Sequence, residues 1–156
     1  MKGKRKRKKI VLSDGERLCG ELLTGLGLNP SSQYRISLIP RYRFDYYFTH
    51  EGREYILEFD GSQHFEFTPW FHRSKRSFYI KRRRDLLKSS VALMSGYHLI
   101  RIAYNDLVKA QDIIKTVIRE KTRLYVSNKE KYSYLLTTKI PKKWFLKYGQ
   151  HLHLFD

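Results

Sequence analysis

Asp45, Glu58, Asp60, Gln63 and His64, side chains that can bind a cation or move a proton, crowd into one stretch of the chain, RFDYYFTHEGREYILEFDGSQHF (43–65). Carboxylates are the hard oxygen donors that hold Mg²⁺. Like charges crowded on one face repel, and a bound cation is the usual reason to keep them there. His64 titrates near neutrality, so it can serve as general base or general acid. The set fits metal-assisted hydrolysis of a phosphodiester. Asp45 and Glu58 supply ligands, Asp60 adds a third or positions a bound water, and His64 handles protons.

The elements that must position these groups are legible in the surrounding pattern. Residues 41–49 and 53–60 alternate as strands, and His50-Glu51-Gly52 between them reads as a hairpin turn with glycine where a positive φ is wanted. Alternation sets Phe44, Tyr46 and Phe48 on one face and Asp45 and Tyr47 on the other, and it projects Glu58 and Asp60 to the same side. Gly61 then permits a tight turn and a close approach to a phosphate. Upstream, Ser13-Asp14-Gly15-Glu16 has the form of a capping box. Leu18, Cys19, Leu22, Leu23 and Leu26 follow at helical spacing, and Gly25 and Gly27 end the helix. Residues 33–39 alternate loosely as a strand. Downstream, 74–95 reads as a long helix with Phe78, Leu86, Leu87, Val91 and Met94 on one stripe, stopped by Gly96. Residues 97–104 form a further strand, and Asn105 is expected to cap a last helix. This order predicts an α/β fold with a central mixed sheet flanked by helices.

The 156 residues suffice for one domain with a real core, and they carry 32 Lys+Arg against 15 Asp+Glu, a net charge of +17. Removing the seven basic residues of MKGKRKRKK leaves +10, so the domain itself is basic. Such a field points to a polyanion, nucleic acid above all. Residues 1–10 are expected to be a disordered basic arm, either a nuclear address or a phosphate-binding tail. Residues 11–125 form the core domain. Residues 126–156 form a basic, aromatic extension packed on it. A single cysteine, Cys19, excludes a disulfide framework or a cysteine zinc site within the chain. No apolar run is long enough to cross a bilayer, and no apolar segment follows the charged N-terminus as in a secretory signal. The expectation is an intracellular protein, not secreted and with no membrane partner.

Five blocks in order over residues 13–120 resemble the PD-(D/E)XK nuclease superfamily. The closest resemblance is to its very-short-patch-repair-like branch, which includes EDxHD homing endonucleases and related proteins of phages and large DNA viruses. The blocks are Gly15-Glu16, Phe44-Asp45, Glu58-Phe59-Asp60-Gly61-Ser62-Gln63-His64, Arg84-Asp85 with Lys88, and Gly96 with Leu99-Ile100-Arg101-Ile102-Ala103-Tyr104. The resemblance implies a restriction-endonuclease-like three-layer fold and a DNA endonuclease that uses Mg²⁺ or Mn²⁺, working in the nucleus or wherever viral or phage DNA is replicated. It makes Asp45 the first metal ligand and Glu58 the acid of the (D/E)XK element. It puts Asp60 where that element usually carries its lysine, so that His64, Gln63 or Lys88 must take over part of that work. It matches Glu16 and Asp85 to the outer acids, beside their plainer roles as capping acid and arginine partner.

The basic run Arg73, Lys75, Arg76, Lys81, Arg82, Arg83, Arg84 and Lys88 suits phosphate neutralisation. Trp70, with Phe67 and Phe71, is either a wedge between base pairs or a loop anchor. Arg101, in a strand apolar on both sides, needs a partner: it either orients an acid or meets the scissile phosphate. The rival expectations are a non-catalytic DNA-binding or packaging protein and a structure-selective nuclease such as a junction resolvase. Monomer and homodimer both fit.

Overall fold

In the computed structural model, which describes residues 10–148, a five-stranded mixed sheet has helices packed on both faces. The strands β1 (Ser31–Tyr34), β2 (Phe44–His50), β3 (Arg53–Asp60), β4 (His98–Ala103) and β5 (Leu124–Val126) lie side by side in chain order. The first three are antiparallel neighbours, while β3–β4 and β4–β5 are parallel. Parallel pairs need crossovers. These are α2 (Lys75–Met94) and α3 (Ala110–Glu120), while α1 (Asp14–Gly25) precedes the sheet.

Strand alternation divides the core into two layers. Tyr55 and Leu57 of β3 and Ile100 and Ile102 of β4 pack against Cys19 and Leu23 of α1 and Ile114 and Val117 of α3. Ile56 and Leu99 point the other way, against Leu86, Val91 and Ala92 of α2. The α/β expectation therefore holds, with a mixed sheet sandwiched between helical layers. The β2–β3 hairpin closes through Glu51 (φ 49°) and Gly52 (φ 74°), both left-handed as a tight two-residue turn requires. Ser13 caps α1, its hydroxyl accepting from the Glu16 N–H at 3.2 Å. The long helix ends within a residue of its expected limits, with Ser74 and Ser77 forming a capping box.

Three local expectations fail for identifiable reasons. The strand expected over 33–39 is only β1. Ile36 and Ile39, three residues apart, close a turn (Ile39 N–H to Ile36 C=O, 3.0 Å) and bury both side chains there. Asn105 caps nothing: Tyr104–Lys109 is a 3-10 stretch that runs straight into α3. Phe44 does not share a face with Tyr46 and Phe48. It joins the α2 layer, because β2 leaves regular pairing with β3 before Tyr46. Of the C-terminal extension, α4 (Ser133–Leu136) and α5 (Lys142–Tyr148) are described, its first residue Val126 closes the edge strand β5, and Trp144 and Tyr148 insert into the α2-side core. The expected basic arm, apart from Ile10, lies outside the described residues.

Candidate active site

The acid pair forms where the β2–β3 ladder gives way. Register runs from His50↔Arg53 to Tyr46↔Leu57 and stops. Beyond it, side chains replace backbone partners. The Asp45 N–H donates to Glu58 Oε2 at 3.3 Å, and the Phe59 N–H donates to Asp45 Oδ2 at 2.7 Å. Each carboxylate is thus held by the other's strand. Gly15 lets α1 settle on this point, since a Cβ there would stand 2.2 Å from the Phe59 ring. The next residue, Glu16, adds its charge beside Asp45, while its carboxylate also accepts from the Ser13 hydroxyl. Burial first, then the charges of Glu58 and Glu16, hold Asp45 well above the usual carboxylate range. Cys19 lies just beneath and is buried as expected. Burial, with Asp45 and Glu16 nearby, pushes its thiol up to about 12.

Lys88 of α2 brings its ammonium onto Glu58 Oε1, and that oxygen has no hydrogen-bond partner among the described residues. The contact is an ion pair of poor hydrogen-bond geometry. The same ammonium sits 4.8 Å from the centroid of the Phe44 ring. A cation therefore stands beside the acid of β3 although the strand position two residues on is Asp60.

Asp60 is placed otherwise than expected. Its carboxylate is 2 % exposed, and both oxygens are engaged: Arg101 donates through Nε (2.8 Å) and Nη2 (2.6 Å), and the Tyr132 hydroxyl donates at 2.7 Å. It is an internal counter-ion with no oxygen free for a metal. Arg101 requires the matching correction. Its side chain is 1 % exposed and is shared among Asp60, Ser89 Oγ (2.9 Å) and Asp85 (3.5 Å), so it orients acids and cannot reach a phosphate.

His64 and Asp85 form a second pair, with Nδ1 2.8 Å from Asp85 Oδ2. The Tyr134 hydroxyl donates to the same oxygen at 3.1 Å. Burial opposes protonation of His64, but the charges of Asp60 and Asp85 and the Asp85 hydrogen bond outweigh it and raise its pKa. Burial likewise opposes ionisation of Asp85, yet Arg101 and His64 prevail and hold it well below the usual range. The side chains of His64 and Asp85, with Gln63, line a cleft of about 290 Å³ whose other walls are Arg41, Tyr42, Arg43, Lys81, Arg84 and Lys88. Gly61 takes φ −67°, ψ 169°, which any residue adopts, so the turn there does not require glycine.

The expected phosphate-binding run divides. Arg73, Lys75, Arg76, Arg83 and Arg84 are exposed, and Lys81 is half-buried at the cleft. Arg82 is a correction: it donates to the carbonyls of His64 (3.4 Å) and Phe65 (2.9 Å) and lies over the Phe78 and Tyr134 rings, pinning the loop that carries His64. Trp70 is 88 % exposed, which excludes the anchor role for that ring. Sequence reasoning missed Arg41 and Arg43, whose only signal was two cations flanking the entry to a strand. It also missed Tyr132 and Tyr134, which offered only the alternation KYSY.

Among the described residues no group of three or more His, Cys, Asp or Glu has the geometry to hold a metal ion. The Asp45–Glu58 pair suits a narrower requirement. Mg²⁺ keeps several waters and is commonly bound through one or two carboxylates plus substrate phosphates. A Glu58 oxygen that meets the Lys88 ammonium without a hydrogen bond and an Asp45 carboxylate burdened by its neighbours are the donors that such an ion would engage. A scan against protein-family models and searches of curated proteins and of solved structures found no match to the chain. No helix among the described residues is long and apolar enough to cross a membrane.

Proposed function

We propose that this protein is a Mg²⁺-dependent DNA endonuclease that acts inside the cell where DNA is copied or repaired. The observation that carries the reading is the meeting of two pairs at Lys88: its ammonium rests on Glu58 of the Asp45–Glu58 pair, and its side chain lines the basic cleft that holds the His64–Asp85 pair. Asp45 and Glu58 would hold the ion, which supplies Lewis-acid stabilisation of the charge that develops on a phosphate. The order of elements and the five sequence blocks that resemble PD-(D/E)XK nucleases support the same reading.

In this reading Nδ1 of His64 is fixed by Asp85, which leaves Nε2 to take a proton from the attacking water. Lys88 neutralises charge beside Glu58 as the phosphodiester breaks, the work the strand lysine does elsewhere in the superfamily. Arg41, Arg43, Lys81 and Arg84 hold the backbone of the substrate across the cleft.

The test is supercoiled plasmid incubated with pure protein in Mg²⁺, Mn²⁺ or EDTA. Metal-dependent nicking or linearisation is expected, and Asp45→Asn is expected to abolish it while leaving duplex binding in EDTA intact. The same substitution removes the repulsion from Glu58 and Glu16. Melting in EDTA should therefore rise by about 2–4 °C, what about 1 kcal/mol gives in a domain of this size. Cutting that survives Asp45→Asn would refute the site, and binding indifferent to Mg²⁺ with no cutting at all would make the protein a binding module.

A further inference from the structure

On the side of α2 away from the acid pair, a groove of about 780 Å³ runs between that helix and the segment leading into α5. Tyr79, Tyr134 and Trp144 contribute its aromatic surface, and Arg76, Arg83 and Lys139 stand in its walls. None of its lining residues is Asp or Glu. A groove that is apolar inside and cationic in its walls selects a ligand with flat apolar faces and a regular run of negative charge.

We propose that this groove binds an unpaired nucleic-acid strand, a base against the exposed Tyr79 ring and phosphates against Arg76, Arg83 and Lys139. Single-strand sites are built this way elsewhere: a cationic track for the backbone and aromatic rings for bases, tolerant of sequence because every base has a π-face. The spacing suits the task. Arg76, Tyr79 and Arg83 are three and four residues apart, so they share one face of α2. Tyr79 is 63 % exposed, with its ring tilted toward its buried neighbour Phe78, 5.6 Å between centroids. Paired bases keep their faces stacked inside the duplex, so double-stranded DNA cannot use the aromatic surface.

The groove and the cleft are joined by hydrogen bonds, one of them from Arg82 of the groove to the carbonyl of His64. Tyr134 lines the groove, and its hydroxyl donates to Asp85 of the cleft. A substrate with duplex in the cleft and a displaced strand in the groove would engage both. That last step rests on the endonuclease reading, whereas strand binding by the groove stands without it.

The test uses the full chain in EDTA, so that cleavage plays no part. A fluorescein-labelled oligothymidylate of twelve nucleotides and a labelled duplex of equal length are each titrated with wild type, Tyr79→Ala and Arg83→Ala. Tyr79 is exposed, so its removal should spare the fold, and thermal melting checks this. The expected result is saturable single-strand binding that falls about tenfold in Tyr79→Ala, the effect of one stacked base, and falls again with Arg83→Ala, while duplex affinity changes less than twofold for Tyr79→Ala. Absence of saturable binding to the single strand overturns the proposal, as does equal loss for single strand and duplex. No plasmid cutting by wild type in Mg²⁺ with saturable oligothymidylate binding would sink the endonuclease reading and leave the groove standing, and cutting without that binding would overturn the groove alone.

Discussion

His64 presents Nδ1 to Asp85 at 2.8 Å, and Asp85 is in turn anchored by Arg101 at 3.5 Å and by the Tyr134 hydroxyl at 3.1 Å. The imidazole is thereby fixed in ring orientation and biased toward its charged form. Its pKa lies above the ordinary 6.5, and that of Asp85 lies below the ordinary 3.8. A general base must be neutral, so the cleavage rate should rise with pH through a midpoint above 6.5. Asp85→Asn removes one of the charges that raise the midpoint and should move it down. His64→Ala should cost about 100-fold or more in rate. Stability runs the opposite way. The raised His64 pKa contributes stability that is complete below its unfolded value and is lost as pH rises through the folded one. The depressed Asp85 pKa contributes stability present above its unfolded value and lost as pH falls through the folded one. Melting in EDTA across the pH range checks both signs, and an activity profile flat between pH 6 and 8 would remove His64 from proton transfer.

Arg101 and Asp60 are expected to matter for folding far more than for DNA contact. Both are buried, and the guanidinium is charged and bidentate. Arg101→Met leaves Asp60 in the interior with the Tyr132 hydroxyl and, 3.5 Å away, His64 Nδ1 as its remaining partners, and should destabilise by about 3–5 kcal/mol. Adding Asp60→Asn removes the stranded charge, so the double variant should lose less than the sum of the two single losses. Urea denaturation of all four proteins measures this coupling. Additive losses would mean that the ion pair is not the unit of stability.

Arg82 and Arg84 sit two residues apart on α2 and should behave as different kinds of residue. Arg84 faces the cleft, and Arg84→Ala should lower the slope of log affinity against log salt by about one while leaving the urea midpoint nearly unchanged. Arg82 holds the carbonyls of His64 and Phe65, and Arg82→Ala should cost about 1–3 kcal/mol of stability with little change in that slope. Identical behaviour of the two would mean that the helix presents an undifferentiated basic surface.

The parts of this protein that sequence made legible are those governed by local rules. Alternation in 53–60 placed Glu58 and Asp60 together on one face, and the Ser13 cap located the start of α1 because capping is a matter of a few adjacent residues. Partner choice within the site was not local. Nothing in the spacing of Glu58, Asp60 and Lys88 says that one acid takes the lysine and the other takes Arg101 from a strand forty-one residues away. The hydroxyls of Tyr132 and Tyr134 reach the site from beyond β5, and only the fold makes them neighbours of Asp60 and Asp85. Ile36 and Ile39 misled for the converse reason: apolar spacing was read as a strand where a turn buries the same side chains.

Lys88 is where these long-range choices bear most directly on function. The β3 acid is Glu58, the residue two positions on is Asp60, and Arg101 neutralises that aspartate. No cation from the strand itself therefore faces Glu58, and α2 supplies one from Lys88 at the wall of the cleft. A charge held where negative charge develops is worth about 100- to 1000-fold in rate. Lys88→Met should lose that much metal-dependent cleavage. It also leaves Glu58 facing Asp45 without its counter-ion, so the metal-free protein should melt lower than wild type, and added Mg²⁺ should recover more stability in the variant than in wild type. Duplex binding in EDTA should weaken only by the loss of one phosphate-facing cation. A Lys88→Met protein that cuts at the wild-type rate would show that some other group stabilises the developing charge, with Gln63 and Arg84 of the same cleft the next to remove.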